Sequence, residues 1–171
     1  MKFKLVKGFI SKQEADNLYK NIMNDDNLIT NDKQIPNTPS WYNNKSLINI
    51  HKQLTFKMSE LFKKELVKTY CYCRMYKKGD ILHPHTDRPA CEYSATVNLG
   101  RKGKNWAIKV LDDDLNTVSF MLEPGDAVIY KGCEVMHWRE IFDGEDMGQV
   151  FFHYVDKNGE YAWAENDNEK P

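Results

Sequence analysis

Apolar residues along the chain follow two different periods. Phe3-Lys4-Leu5-Val6 predicts a short opening strand, and Ser11-Lys12-Gln13-Glu14 has the spacing of a capping box, with the Ser side chain accepting from an early helix N–H while Glu14 reaches back. A helix over about 12–24 follows, stopped by Asn24-Asp25-Asp26-Asn27. The segment to Asn44 is rich in Asn, Asp and Pro, and Pro36 and Pro39 favour extended or turn backbone, so 25–45 reads as a long loop. Loops of that length in compact domains often serve as lids. Trp41-Tyr42 is then a candidate aromatic contact for a substrate, or an anchor that packs the loop down. From Ser46, Leu47, Ile50, Leu54, Met58 and Leu61 recur at steps of three and four, which predicts an amphipathic helix to about Val67. His51 falls on its polar flank and reads as a surface residue.

After residue 68 the pattern alternates, and β-branched and aromatic residues become dense. Strands are predicted at about 69–77, 92–99, 105–111, 117–122, 126–131, 134–139 and 149–156. Turn chemistry separates them: Lys78-Gly79-Asp80, Gly100-Arg101-Lys102-Gly103, Asp112-Asp113-Asp114, Glu123-Pro124-Gly125-Asp126 and Asp143-Gly144-Glu145-Asp146. Many short, regularly spaced strands argue for a mostly β sandwich or barrel of antiparallel sheets with the two N-terminal helices packed outside. The expected organisation is a single domain over 1–171: strand, helices and loop in 1–68, the β core in 69–156, and a polar, fraying tail in 157–171.

Composition narrows the function classes. A chain of 171 residues can bury a sizeable core without disulfides. With 24 Lys+Arg against 25 Asp+Glu there is no basic field to attract nucleic acid or an anionic membrane. Cys71, Cys73, Cys91 and Cys133 form no C-x-x-C pair, Met1 to Lys7 lacks the apolar run of a signal peptide, and no stretch approaches the roughly 20 apolar residues of a bilayer span. The expectation is a cytoplasmic protein with reduced thiols, acting on a small molecule, peptide or protein, with its oligomeric state open. No internal repeat, Gly-rich phosphate loop or G-x-S-x-G is present.

The candidate chemistry lies in His83-Pro84-His85-Thr86-Asp87-Arg88 read with Cys133-Glu134-Val135-Met136-His137-Trp138-Arg139. Residues two apart in an extended strand face one side, so His85 and Asp87 can present an imidazole and a carboxylate to one point. His137 would complete a 2-His-1-carboxylate set, which leaves one face of an octahedral ion open and suits non-haem Fe(II).

Five pieces follow one another in order, three of them flanking this motif: Arg74-Met75-Tyr76-Lys77-Lys78-Gly79-Asp80, His85-Thr86-Asp87, Tyr93 to Leu99, Leu122-Glu123-Pro124-Gly125-Asp126-Ala127-Val128-Ile129-Tyr130, and His137. Together they make residues 74–156 resemble the 2-oxoglutarate- and Fe(II)-dependent dioxygenases, most closely the branch similar to prolyl 4-hydroxylase catalytic domains. The resemblance implies a double-stranded β-helix (jelly-roll) core, with Fe(II) on His85, Asp87 and His137. It also implies 2-oxoglutarate and O2 as co-substrates, leaves room for ascorbate, and implies a hydroxylase that forms succinate and CO2.

Members of that family usually hold the distal carboxylate of 2-oxoglutarate with an Arg or Lys on the eighth core strand. Here that region reads Asp146-Met147-Gly148-Gln149-Val150-Phe151-Phe152-His153, without one. A buried carboxylate needs a partner. Arg139 shares a strand face with His137 and is the candidate anchor, Gln149 falls near the vacated position, and Tyr76 matches a co-substrate-contacting tyrosine of related enzymes. Lys104, just before Trp106, and Lys109 are rivals, each also readable as a solvated lysine at a strand edge. His83 reads as a residue behind the ligands or at the surface, and His153 as lining the interior or filling the core. Arg88 could pair with a substrate carboxylate or form a surface ion pair, and Trp106 and Trp138 read as core. Two other classes stay open: a cupin-like metalloenzyme without 2-oxoglutarate, disfavoured because Glu92 is seven residues past His85, and a non-catalytic jelly-roll binding module.

Overall fold

The computed structural model describes residues 1–22, 28–29 and 32–167. Its strands are β1 (Phe3–Val6), β2 (Leu28–Ile29), β3 (Ser40–Tyr42), β4 (Leu66–Lys77), β5 (Leu82–His85), β6 (Tyr93–Lys102), β7 (Ile108–Leu111), β8 (Thr117–Phe120), β9 (Ala127–Tyr130), β10 (His137–Arg139) and β11 (Asp146–Asp156). Helices α1 (Lys12–Asn21) and α2 (Lys45–Phe62) precede the main strands. Two antiparallel sheets form, a seven-stranded one ordered β1-β9-β6-β11-β4-β3-β2 and a four-stranded one ordered β5-β10-β7-β8. The fold is the expected mostly β jelly roll with helices outside. No helix among the described residues is long and apolar enough to cross a membrane.

Strand alternation explains why the large sheet has two chemically different faces. Cys71, Cys73 and Met75 of β4, Ala95, Val97 and Leu99 of β6, and Val150, Phe152 and Tyr154 of β11 form one apolar cluster with Ala15 and Leu18 of α1 and Leu47, Leu54 and Met58 of α2. The residues between them carry the polar groups: Tyr72, Arg74 and Tyr76, Ser94, Thr96 and Asn98, Gln149 and His153. All of these are buried. Buried polar groups must be satisfied, so this many on one face marks the site-bearing side of the sheet.

Several boundaries differ from the sequence expectation. Ser11 Oγ accepts from Glu14 N (3.1 Å), as a capping serine should. The helix it starts ends at Asn21, and the stop at Asn24–Asn27 lies outside the described residues. Helix α2 stops at Phe62, because Lys63 takes a left-handed conformation (φ 55°) that turns the chain, and Leu66 and Val67 open β4 instead. Trp41-Tyr42 is not an exposed loop contact. It lies in β3, paired with Cys73 and Tyr72 of β4, and Trp41 is buried in the helix-backed cluster. The tail is docked at least to Asp167, with Ala164 buried, Asn166 N donating to Lys68 O (3.0 Å) and Tyr42 Oη donating to Asp167 O (3.0 Å).

His51 is buried, not exposed as its polar flank suggested. α2 lies against β11 there, so the ring packs near Phe152 (5.4 Å) and Tyr154 (4.9 Å), and Nε2 donates to His153 O (3.0 Å). Burial drives the His51 pKa down to about 4. Above pH 6.5 the imidazole is neutral whether the chain is folded or not. Below 6.5 the unfolded chain takes a proton that the fold refuses until about pH 4, so stability falls across this window. Urea melts from pH 7 to 4 should show that decline, and His51→Gln should flatten it. An unchanged slope in the variant would remove His51 as the cause.

Candidate active site

β5 and β10 pair antiparallel with His137 directly opposite His85, so the two imidazoles leave one face of the small sheet together, ring centroids 4.3 Å apart. Asp87 follows just past the end of β5, its N–H donating to Gly132 O (2.8 Å). Its Oδ1 lies 3.6 Å from His85 Nε2 and 3.5 Å from His137 Nε2. One donor atom from each of the three residues falls within 4.8 Å of the others, a grouping able to hold a metal ion. Both rings are oriented alike: His85 Nδ1 donates to His83 O (2.7 Å) and His137 Nδ1 to Val135 O (2.9 Å), which leaves both Nε2 lone pairs facing Asp87.

Burial lowers the pKa of His85, reinforced by its neighbour His137, and brings that of His137 down to about 4. Burial also raises the Asp87 carboxyl above the ordinary carboxylate range. Neutral imidazoles and one carboxylate wanting a cation are the donor set of a divalent transition metal, and the residues fit one. Ser94 Oγ reaches the second carboxylate oxygen of Asp87 (3.3 Å) and is itself held at 2.8 Å by His153 Nδ1.

A buried cation lies two residues past His137. Arg139 is fully buried on β10, its guanidinium 5.0 Å from the Trp106 ring, and Nη1 donates to Trp106 O (2.7 Å). Nε and Nη2 of Arg139, the Tyr76 hydroxyl and Gln149 Nε2 are buried with no hydrogen-bond partner among the described residues. Tyr76 packs on the same Trp106 ring (4.9 Å). Burial brings the Arg139 pKa down to about 10 against the partial support of the two nearby tyrosines, Tyr76 and Tyr130. Two orphaned N–H groups of a buried guanidinium beside an orphaned phenol suit a carboxylate, while Gln149 stands opposite Arg74 and Asn98 on the large sheet.

No protein-family model and no curated protein matches the sequence. Solved structures do match the fold. A prolyl-4-hydroxylase from Pseudomonas putida aligns with 88% of this chain and 91% of its own, at TM-score 0.67 and 13% identity. An oxidoreductase of the 2OG-Fe(II) oxygenase family from Burkholderia pseudomallei aligns with 92% of this chain and 86% of its own, at TM-score 0.74 and 15% identity. HygX from Streptomyces hygroscopicus, solved with nickel and 2-oxoglutarate, aligns with 91% of this chain and 83% of its own, at TM-score 0.70 and 12% identity. The fold is that of the 2-oxoglutarate/Fe(II) oxygenases.

In this oxygenase fold the remaining candidates take distinct places. Lys104 is exposed and paired with Asp143, and Lys109 bonds Glu140 (2.8 Å), so each lysine is engaged with a carboxylate of the chain. His83 is exposed and contributes its carbonyl to His85. Arg88 pairs with Asp167 of the tail (2.7 Å) and lies over the Tyr70 ring. Trp106 is buried against Arg139 and Tyr76, while Trp138 is half-buried with Nε1 on Glu140 (3.2 Å). Glu92 accepts from Asp156 N (2.9 Å), away from the three candidate ligands, which gives a cupin-like ligand set no support.

Sequence reading missed three participants of the oxygenase fold. Gly132 stands against Asp87, Ser94 bonds it, and Arg74 is a second buried cation on the interior face. Arg74 was legible in principle, since Tyr72, Arg74 and Tyr76 sit at i, i+2 and i+4 of one strand.

Proposed function

We propose that the protein is a 2-oxoglutarate- and Fe(II)-dependent oxygenase that hydroxylates an unactivated C–H bond, with His85, Asp87 and His137 as iron ligands and Arg139, Tyr76 and Gln149 as the co-substrate site. The observation that carries this reading is the pairing of the facing ligand set with a buried, uncompensated Arg139 one strand position beyond Trp138. Bound there, Fe(II), 2-oxoglutarate and O2 supply oxidative decarboxylation to succinate and CO2 together with C–H hydroxylation. The chain supplies position and charge. His85 and His137 present neutral Nε2 atoms fixed by their Nδ1 bonds, and Asp87 adds one negative charge held by Ser94. Arg139 neutralises the distal carboxylate of the co-substrate, and Tyr76 and Gln149 donate neutral hydrogen bonds.

Two structural neighbours are prolyl hydroxylases, from Pseudomonas putida and from Paramecium Bursaria Chlorella virus-1, which supports the prolyl 4-hydroxylase-like branch and a peptide or small-molecule substrate. Four free cysteines, three of them buried, support a reducing, cytoplasmic setting. Anaerobic titration of metal-free protein with Fe(II) and then 2-oxoglutarate should produce the broad visible charge-transfer band of the chelate. Lys104→Ala should need the same 2-oxoglutarate concentration within about twofold, since an exposed lysine pair contributes little. Bound iron without a band would exclude 2-oxoglutarate.

A further inference from the structure

Arg74 is buried on the interior face of β4, between Tyr72 (5.2 Å to the ring) and Tyr76 (5.5 Å), and directly opposite Gln149 of β11. It is therefore a second buried guanidinium on the face that carries the proposed co-substrate site. Its counter-charge does not come from the barrel. Asp32, from the segment ahead of β3, places Oδ2 at 2.9 Å from Arg74 Nη2, and the same oxygen accepts from the Tyr72 hydroxyl (2.6 Å). The other oxygen accepts from Gln34 N (2.7 Å) and Ile35 N (3.2 Å).

Two residues further on, Gln34 reaches the metal side of the same site. Its Nε2 donates to His85 Nε2 (3.2 Å), and its Oε1 accepts from Arg74 Nη1 (3.3 Å). With His85 Nδ1 already donating, Nε2 is the lone pair the proposed metal requires. A loaded centre and this contact of Gln34 exclude one another, so the Gln34 amide turns away when the centre fills and takes with it the acceptor of Arg74 Nη1. Arg74 Nε has no partner among the described residues, and the carboxylate paired with the guanidinium is Asp32, which comes from outside the barrel wall. A buried guanidinium without an anion is costly, and a guanidinium beside a phenol is suited to the two oxygens of a carboxylate.

We infer that the primary substrate carries a carboxylate, and that Arg74 with the Tyr72 hydroxyl receives it at the position Asp32 now fills. This deepens the oxygenase reading and rests on it for the word substrate, while the anion site stands on the contacts of Arg74 alone. A carboxylate is favoured over a phosphate because the group on Arg74 is itself a carboxylate, held by one guanidinium and one phenol. Asp32 is then a competitor built into the chain.

Butyrate and butyramide, alike in shape and different in charge, test this by calorimetric titration of the full chain with Zn(II) and saturating 2-oxoglutarate present. Asp32→Asn should bind butyrate at least about tenfold more tightly than wild type, with no gain for butyramide. The double variant Asp32→Asn/Arg74→Gln, which removes both charges together, should lose that gain. Equal butyrate affinity in wild type and Asp32→Asn, a parallel gain for butyramide, or retained binding in the double variant would each overturn the site. If the double variant does not fold, the comparison of Asp32→Asn with wild type decides alone. A raised 2-oxoglutarate requirement in Arg74→Lys, read from the charge-transfer band, would assign Arg74 to the co-substrate and sink the inference. No band in any protein, with the butyrate gain intact, would keep the anion site and remove the oxygenase reading.

Discussion

Gly132→Ala should weaken metal binding by more than about 100-fold without touching a proposed ligand. A Cβ at this position would overlap the Cys91 carbonyl oxygen and stand 2.5 Å from Asp87 Oδ2 and 3.0 Å from Asp87 Cβ. The backbone cannot retreat easily, because Gly132 O accepts from Asp87 N (2.8 Å) and Gly132 N donates to Glu92 O (2.9 Å). Space rather than backbone conformation demands glycine here, and the side chain able to yield is the Asp87 carboxylate. Turning it away leaves two imidazoles, and loss of a ligand exceeds the 10- to 100-fold usual for a partner behind the ligands, so Zn(II) or Fe(II) affinity should fall by more than about 100-fold. Overpacking should also lower stability by about 1–3 kcal/mol. Competition against a chromophoric chelator, beside urea melts, measures both, and an affinity within threefold of wild type would show that Asp87 does not need this space.

Arg139→Met should raise the stability of the metal-free protein and destroy the proposed co-substrate site, two effects of opposite sign from one change. The Arg139 pKa sits at about 10 against 12.5 for a free guanidinium, which corresponds to roughly 3 kcal/mol of penalty on its charged form. The sign follows from its being a base whose folded pKa lies below its unfolded one. The penalty is complete at every pH below about 10 and is relieved only as the pH rises toward 12.5. The gain from methionine, about 1–3 kcal/mol, should therefore be constant from pH 6 to 9. Loss of a buried charge-assisted pair should weaken 2-oxoglutarate binding by about 100-fold or more. Urea melts and the charge-transfer titration report the two effects separately. A destabilised variant with normal co-substrate affinity would make Arg139 a structural residue, its bond to Trp106 O the reason.

Much of the candidate site was legible because its geometry is local. His85 and Asp87 are two residues apart at a strand end, and Arg139 is two residues from His137, so alternation alone puts each pair on one side. Arg74 obeys the same rule, but its burial is not legible in sequence, where a buried arginine inside a strand reads like a solvated one. His51 failed for the reverse reason. Its helical neighbours set its flank as polar, yet α2 is sandwiched closely enough against β11 that the flank is covered too.

The sequence by itself determined the periods, hence two amphipathic helices before a run of short strands, and the turn residues that separate those strands. It also determined which side chains could face one another across two residues. Only the tertiary structure decided which distant segments meet: that His137 stands opposite His85, that Gly132 presses on Asp87, and that Asp32 and Gln34 reach Arg74 and His85. The physical reason is that side-chain direction follows from the local dihedrals of one strand. Register and long-range contact instead depend on how the strands of both sheets bury their apolar faces at once.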